Sequence, residues 1–239
     1  MQSGRRLVKL HPWTVHLLAV LAICAGVMLI LQAIPATESA LQKVDNETLE
    51  VARSNRVPPL TVIALALNII GGAWITIPLR VIVTVLLVMR RRWSSLGAFL
   101  VAVGLAEALT AIIKLSYGRP RPPESLVLTT GYSFPSGHTL TTAVVAVMIV
   151  FLFVHPGPRR QTAMIAAIAF TLIMGVSRVY LAAHWLSDAV ASALLGNTIA
   201  LGSALLIQVL HDRRRGITER ERDRGPLEQA ALEHESEAV

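Results

Sequence analysis

Three short motifs hold the residues of this chain that could do chemistry together. Lys114 with Arg121-Pro122 forms the first, Pro135-Ser136-Gly137-His138 the second, and Ser177-Arg178 with His184 and Asp188 the third. Lysine offers a compact charge, and arginine a planar fork of donors that matches phosphate oxygens. Ser136 is a good helix N-cap and Gly137 permits close backbone approach. The unpaired N–H groups at such a helix start attract anions. His184 and Asp188 lie four residues apart, which on a helix puts them on one face. A carboxylate holding one imidazole nitrogen leaves the other free as nucleophile or base. Singly, each motif also has a plain structural reading. Lys114 and Arg121 suit interfacial anchors, His138 a bystander at a capped helix start, and Asp188 a helix-start carboxylate beside an interfacial His184.

The elements that must position these residues are mostly apolar. The chain has 239 residues, 54% of them hydrophobic and 15% charged. Its apolar residues run in blocks of about 20, the length that crosses a bilayer as a helix. The blocks are Trp13 to Ile34, Pro59 to Met89, Trp93 to Lys114, Ser136 to Val154, one beginning at Gln161, and Leu186 to Leu210. Pro59 to Met89 exceeds one simple span and reads as one long helix, bent at Gly71-Gly72 or at Pro78. Ser39 to Ala52 fits a short amphipathic helix outside the bilayer. The expected fold is all-α: a six-transmembrane helical bundle over 13–210, after a basic segment 1–12 and before a charged tail 211–239. The tail has too little apolar surface to fold alone. The single cysteine, Cys24, excludes an intramolecular disulfide. The first block is long for a signal peptide and lacks a cleavage site of small residues.

The net charge of +7 does not point to nucleic acid, because the basic residues cluster at the ends of apolar blocks. The clusters are Arg5/Arg6/Lys9, Arg90 to Arg92, Arg159/Arg160 and Arg213 to Arg215. With six spans all four fall on one side, which the positive-inside rule makes cytoplasmic. Both termini are then cytoplasmic. Lys114 to Arg121, Pro135 to His138 and Arg178 to His184 all meet on the opposite, extracytoplasmic face. That convergence follows from charge bias, without use of the motifs.

In this order and on one face, the motifs resemble those of the type 2 phosphatidic acid phosphatase (PAP2) family, with no departure at a motif position. The resemblance covers roughly Pro59 to Leu210, and the first span by topology. It implies a membrane lipid phosphatase that uses no metal and no cofactor. His184 is the implied nucleophile, forming a phosphohistidine, with Asp188 orienting it and His138 protonating the leaving oxygen. Lys114, Arg121, Arg178, Ser136 and the Gly137 N–H are the implied phosphate-binding groups. Electrostatic stabilisation of this kind carries most phosphoryl-transfer catalysis. The implied partners are membrane lipids and a lipid phosphate substrate: phosphatidic acid, phosphatidylglycerol phosphate, a lysolipid phosphate or an isoprenyl diphosphate such as undecaprenyl diphosphate. The implied location is a cell membrane, multi-pass, with the site facing outward. The alternative is a non-catalytic protein that binds or moves anionic lipid with the same cations. The His184–Asp188 pair weighs against it, since binding needs no oriented nucleophile.

Two charges belong to no motif. Arg80 lies ten residues before Arg90, and Glu107 fourteen after Trp93. At about 1.5 Å per residue both fall inside the hydrocarbon. An unpaired charge there costs roughly 2.5–3.5 kcal/mol or more. Arg80 and Glu107 are therefore expected to pair inside the bundle; the alternative is that Arg80 marks the inner end of a span from Pro59 to Leu79 and Glu107 points into a wet cavity below the site.

Overall fold

The computed structural model describes residues 13–207 and Val209. The expected basic segment 1–12 and the charged tail 211–239 lie outside the described residues. The described residues form helices and no strand. In chain order these are α1 (Trp13–Ala33), α2 (Pro35–Ser54), α3 (Pro58–Ile70), α4 (Ala73–Met89), α5 (Trp93–Tyr117), α6 (Gly137–Phe153), α7 (Pro158–Tyr180) and α8 (Leu186–Ile207).

Four of them, α1, α5, α7 and α8, are each long and apolar enough to cross a membrane. The pair α3 and α4 makes a fifth candidate, bent by 45° at its break. α6 is apolar but has only 17 residues, about 26 Å of helix against about 30 Å of hydrocarbon. None of its residues is exposed. Leu140, Ala143, Val144, Val147, Met148 and Phe151 are all buried on it. They pack with Phe99 and Ala102 of α5, Ala167 of α7 and Ala200 and Ala204 of α8. A helix that is apolar all round is buried against other helices or against lipid; α6 is packed by helices. Small residues let them approach: a Cβ on Gly196 of α8 would come within 2.7 Å of the Ala143 Cβ and of the Leu140 carbonyl oxygen. On the outside, Ile23, Val62, Ile69, Trp74, Ile77 and Val81 are exposed, an apolar surface suited to lipid.

Two expectations need correction. Pro59 to Met89 is not one helix. It breaks at Gly71-Gly72, while Pro78 stays inside α4. Both glycines have ordinary backbone angles, so space rather than conformation asks for them. A Cβ on Gly71 would lie 2.8 Å from Met174 Cε and 3.0 Å from His138 Cδ2. The amphipathic segment is longer than Ser39 to Ala52, because the chain turns directly from α1 into α2 with Pro35 in its first turn. α2 is also not a free surface helix. Leu49 packs on Ala182 and Trp185.

The Arg80–Glu107 pair forms, at 2.7 Å, and Arg80 also donates to Thr141 Oγ1 at 3.3 Å. Its setting differs from the expectation. The Glu107 side chain is 57% exposed, so the pair lies at the edge of the bundle rather than inside it.

Candidate active site

The motifs meet at one end of the bundle because they occupy element ends. Lys114 sits in the last turn of α5, His138 in the first turn of α6, and Arg178 in the last turn of α7. His184 lies in the turn from α7 to α8, and Asp188 in the first turn of α8. At the opposite end, Arg92 donates to the Leu152 carbonyl and Arg90 lies over Phe153. Among the described residues, the basic clusters at Arg90 to Arg92 and Arg159/Arg160 thus lie at the opposite end of the helices from the motifs.

Local sequence explains the framework. Gly118 ends α5 in the left-handed region, at φ 59°, where glycine is strain-free. Ser136 caps α6 as its type predicts, accepting from Thr139 N. Its own N–H donates to Ser192 Oγ at 2.7 Å. Ser136 is fully buried.

Arg121 and Arg178 lie close to His184, Lys114 is the third motif cation, and neutral oxygens hold all three. Lys114 donates to the Tyr132 carbonyl. Arg121 donates to the carbonyls of Thr130, Gly131 and Ala183 at 2.7–2.9 Å. Arg178 donates to Asn68 Oδ1. Among the described residues none of these three has a carboxylate within ion-pair distance. Their positive charge remains for an anion. Burial pushes the Arg121 guanidinium down from its ordinary range, with Asp188 opposing.

His184 is buried, and its Nε2 lies 3.2 Å from Arg121 Nη1. A guanidinium can only donate, so Nε2 is the acceptor and the proton of the neutral ring belongs on Nδ1. Nδ1 faces Asp188 Oδ2 at 3.6 Å, longer than a hydrogen bond. Burial holds the imidazole down to about 4; Asp188 pulls the other way, and Arg121 and Arg178 add to the lowering. The ring is therefore neutral at pH 7, with its lone pair turned to Arg121.

The expected helix face shared by His184 and Asp188 is not what joins them. His184 precedes α8, and Asp188 reaches back to accept from Trp185 N at 3.0 Å. Asp188 also takes Ser133 Oγ and, at 2.6 Å, Arg119 Nη1. His138 does not point freely at the cations either. Its Nε2 lies 3.2 Å from the Asn68 carbonyl oxygen, which fixes a donated proton there. Asn68, Arg119, Ser133, Asp45 and Ser187 were not legible as site residues. Each is a lone polar residue whose partner lies on another helix. The one available signal was Arg119, a further arginine two places before Arg121.

Chemically, the site offers an uncompensated cationic cluster, a helix start and one neutral, buried imidazole. Among the described residues no three His, Cys, Asp or Glu side chains converge as metal ligands.

Comparison with known proteins agrees with this chemistry. The sequence model of the PAP2 superfamily matches residues 95–212. Phosphatidylglycerophosphatase B of Bacillus subtilis is 30% identical over 164 residues, covering 66% of this chain and 80% of the relative. The undecaprenyl-diphosphatase of Sulfolobus acidocaldarius is 30% identical over 162 residues, covering 64% and 74%. Among solved structures, a transmembrane PAP2-type phosphatidylglycerolphosphate phosphatase from Bacillus subtilis superposes with a TM-score of 0.68. It is 25% identical and covers 82% of this chain and 96% of its own. Aquifex aeolicus LpxE gives 0.54 at 21% identity, over 66% and 92%, a likeness of fold alone.

Proposed function

Since this chain belongs to the PAP2 superfamily, whose named relatives here are phosphoric ester hydrolases, we propose that it removes phosphate from a membrane lipid phosphate or isoprenyl diphosphate through a phosphohistidine on His184, without a metal. The observation that carries this reading is the pairing pattern of the cations. Lys114, Arg121 and Arg178 are held by neutral oxygens and, among the described residues, by no carboxylate, and Arg121 stands against the Nε2 of a neutral histidine. A phosphoryl group placed there meets positive charge on its oxygens and a lone pair on phosphorus.

The reaction has two steps. Nε2 of His184 bonds to phosphorus as the bond to the leaving oxygen breaks, and His138, entering the step protonated on both ring nitrogens, gives that oxygen a proton and is left neutral. Water then attacks phosphorus, loses its proton to His138, and releases phosphate with His184 restored. Asp188 steadies the imidazole as it gains positive charge. Before transfer, His138 must exchange its contact with the Asn68 carbonyl for the leaving oxygen.

In the membrane, α1, the bent pair α3–α4, α5, α6, α7 and α8 make six spans, with α6 shielded by its neighbours. Charge bias places both termini in the cytoplasm and the site on the outer face of a cell membrane. The named relatives act on a phosphatidylglycerophosphate and on undecaprenyl diphosphate. Their headgroups differ, so the lipid is decided by assay. Purified protein is to be given a panel of phosphatidic acid, phosphatidylglycerol phosphate, a lysolipid phosphate and an isoprenyl diphosphate, with EDTA present. Phosphate release from at least one is expected. No release, or release only when Mg²⁺ is restored, contradicts the proposal.

A further inference from the structure

Arg119 differs from the three motif cations, because carboxylates hold it. Its Nη1 donates to Asp188 Oδ1 at 2.6 Å, and its Nη2 to Asp45 Oδ2 at 2.7 Å and to Gln42 Oε1 at 2.7 Å. All three charges are buried: Arg119 is 4% exposed, Asp45 1% and Asp188 0%. Asp45 and Gln42 come from α2, which contributes to none of the three motifs.

Asp45 does more than pair with Arg119. Its Oδ1 accepts the Ser187 N–H at 2.8 Å, and its Oδ2 accepts Ser187 Oγ at 2.6 Å. Ser187 stands in the first turn of α8, where backbone N–H groups lack intrahelical partners. Trp185, just before that helix, has no side-chain acceptor to cap it. Asp45 caps α8 from another helix instead. Leu49, one turn along α2, packs on Trp185 and Ala182. One face of α2 therefore clamps the short turn that carries His184.

We propose that Asp45 and Arg119 are positioning residues of the reaction, through which α2 completes the active site by fixing Asp188 behind His184. The inference rests on the phosphohistidine reading. Asp188 has its Oδ1 held by Arg119 and its Oδ2 by Ser133 Oγ and the Trp185 N–H. A carboxylate so loaded cannot rotate away from the imidazole. Charge supplies the second argument. Arg119 with Asp188 alone would be neutral overall. Arg119 shared between two carboxylates leaves the cluster one negative charge. The imidazole gains positive charge when Nε2 bonds to phosphorus, and the shared arginine leaves that charge a counter-ion. Neither Asp45 nor Arg119 need touch the substrate, so they act on the transition state rather than on binding.

The test compares two anions on full-length protein purified in detergent, titrated by calorimetry. Inorganic phosphate reads the cations. Vanadate, bonded to Nε2 as a mimic of pentacoordinate phosphorus, reads His184 and the charge behind it. Asp45→Asn is isosteric and removes one charge. It is expected to bind phosphate as the wild type does and vanadate roughly tenfold more weakly. With whichever lipid phosphate the wild type hydrolyses, kcat falls roughly ten- to a hundredfold, the usual cost of losing an orienting partner, and KM stays unchanged. Arg119→Lys keeps the charge but cannot span both carboxylates, and shows the same split if Asp45→Asn fails to accumulate. Glu47→Gln, exposed on the same helix, changes neither anion. Parallel loss of both anions would mean that α2 only fastens the fold, and wild-type vanadate affinity in Asp45→Asn would mean that it does not reach His184; either overturns the inference. Failure of the lipid phosphatase reading has a different sign: the wild type releases no phosphate from the lipid panel, whatever the anion titrations give.

Discussion

His184 presents a neutral ring with its Nε2 lone pair toward Arg121 and its Nδ1 toward Asp188. His184→Ala removes the atom that would bond to phosphorus. Turnover is expected to fall by roughly 10⁴-fold or more, as when other enzymes lose a nucleophile. Asp188→Asn keeps the shape but not the charge, and is expected to cost roughly 10²- to 10⁴-fold. Phosphate-release rates on the preferred lipid check both. The pH dependence follows from the sign of the shift at His184. An unfolded chain protonates this histidine at an ordinary value near 6.5, the folded chain only near 4. Between those values the unfolded state binds the extra proton, so stability falls as pH drops from 6.5 toward 4. Over the same window the free enzyme keeps a neutral nucleophile. The acidic limb of log kcat/KM is thus expected near pH 4 rather than 6.5. A limb near 6.5, read on protein shown to be folded there, would mean an ordinary imidazole. The motif residues were legible in the sequence because their types carry the chemistry. Asn68 and Asp45 were not, because an isolated amide or carboxylate says nothing until a second helix brings its partner.

Helix breaks and contacts decide how far those side chains can be trusted to stay in place. Gly71-Gly72 was legible as a bend, but its reason was not: the break leaves room for His138 and Met174. Likewise the pattern of α2 showed an amphipathic helix, while its docking over the α7–α8 turn depends on Leu49 and Asp45 meeting residues more than a hundred positions away. Two predictions belong at this scale. Gly196→Ala forces a methyl against the Leu140 carbonyl and the Ala143 methyl, 2.7 Å from each, where α6 and α8 cross. Overpacking of this kind costs about 1–3 kcal/mol, and the melting temperature in detergent should fall by several degrees. Gly104→Ala, with nothing within 4 Å, should melt no lower than the wild type. The Arg80–Glu107 pair offers the second. Arg80→Glu and Glu107→Arg should each lower the amount of folded protein in membranes, and the double exchange should restore much of it. A double variant worse than either single change would show that the 2.7 Å contact does not sustain the fold.

As a whole the molecule reads as a bundle with basic connections at one end and phosphate chemistry at the other. The sequence divided these ends by charge alone, because membrane topology follows where Arg and Lys fall. It could not show that α6 is a 17-residue helix walled in by its neighbours, since an apolar run looks the same facing lipid or protein. Orientation is open to direct measurement. In a Cys24→Ser background, Thr130→Cys lies on the exposed loop between α5 and α6. An impermeant thiol reagent should label it in intact cells. Labelling only after permeabilisation would invert the topology. The most direct test of the covalent mechanism is to trap the phosphoenzyme. Protein mixed with a lipid substrate labelled at the transferred phosphate and denatured in alkali within one turnover should carry an alkali-stable, acid-labile label, located by mass spectrometry at His184. His138→Ala should hold that label longer, chiefly with substrates that have good leaving groups, and His184→Ala should hold none. A wild-type enzyme that releases phosphate yet never carries label, or a His184→Ala protein that still turns over, would contradict the account.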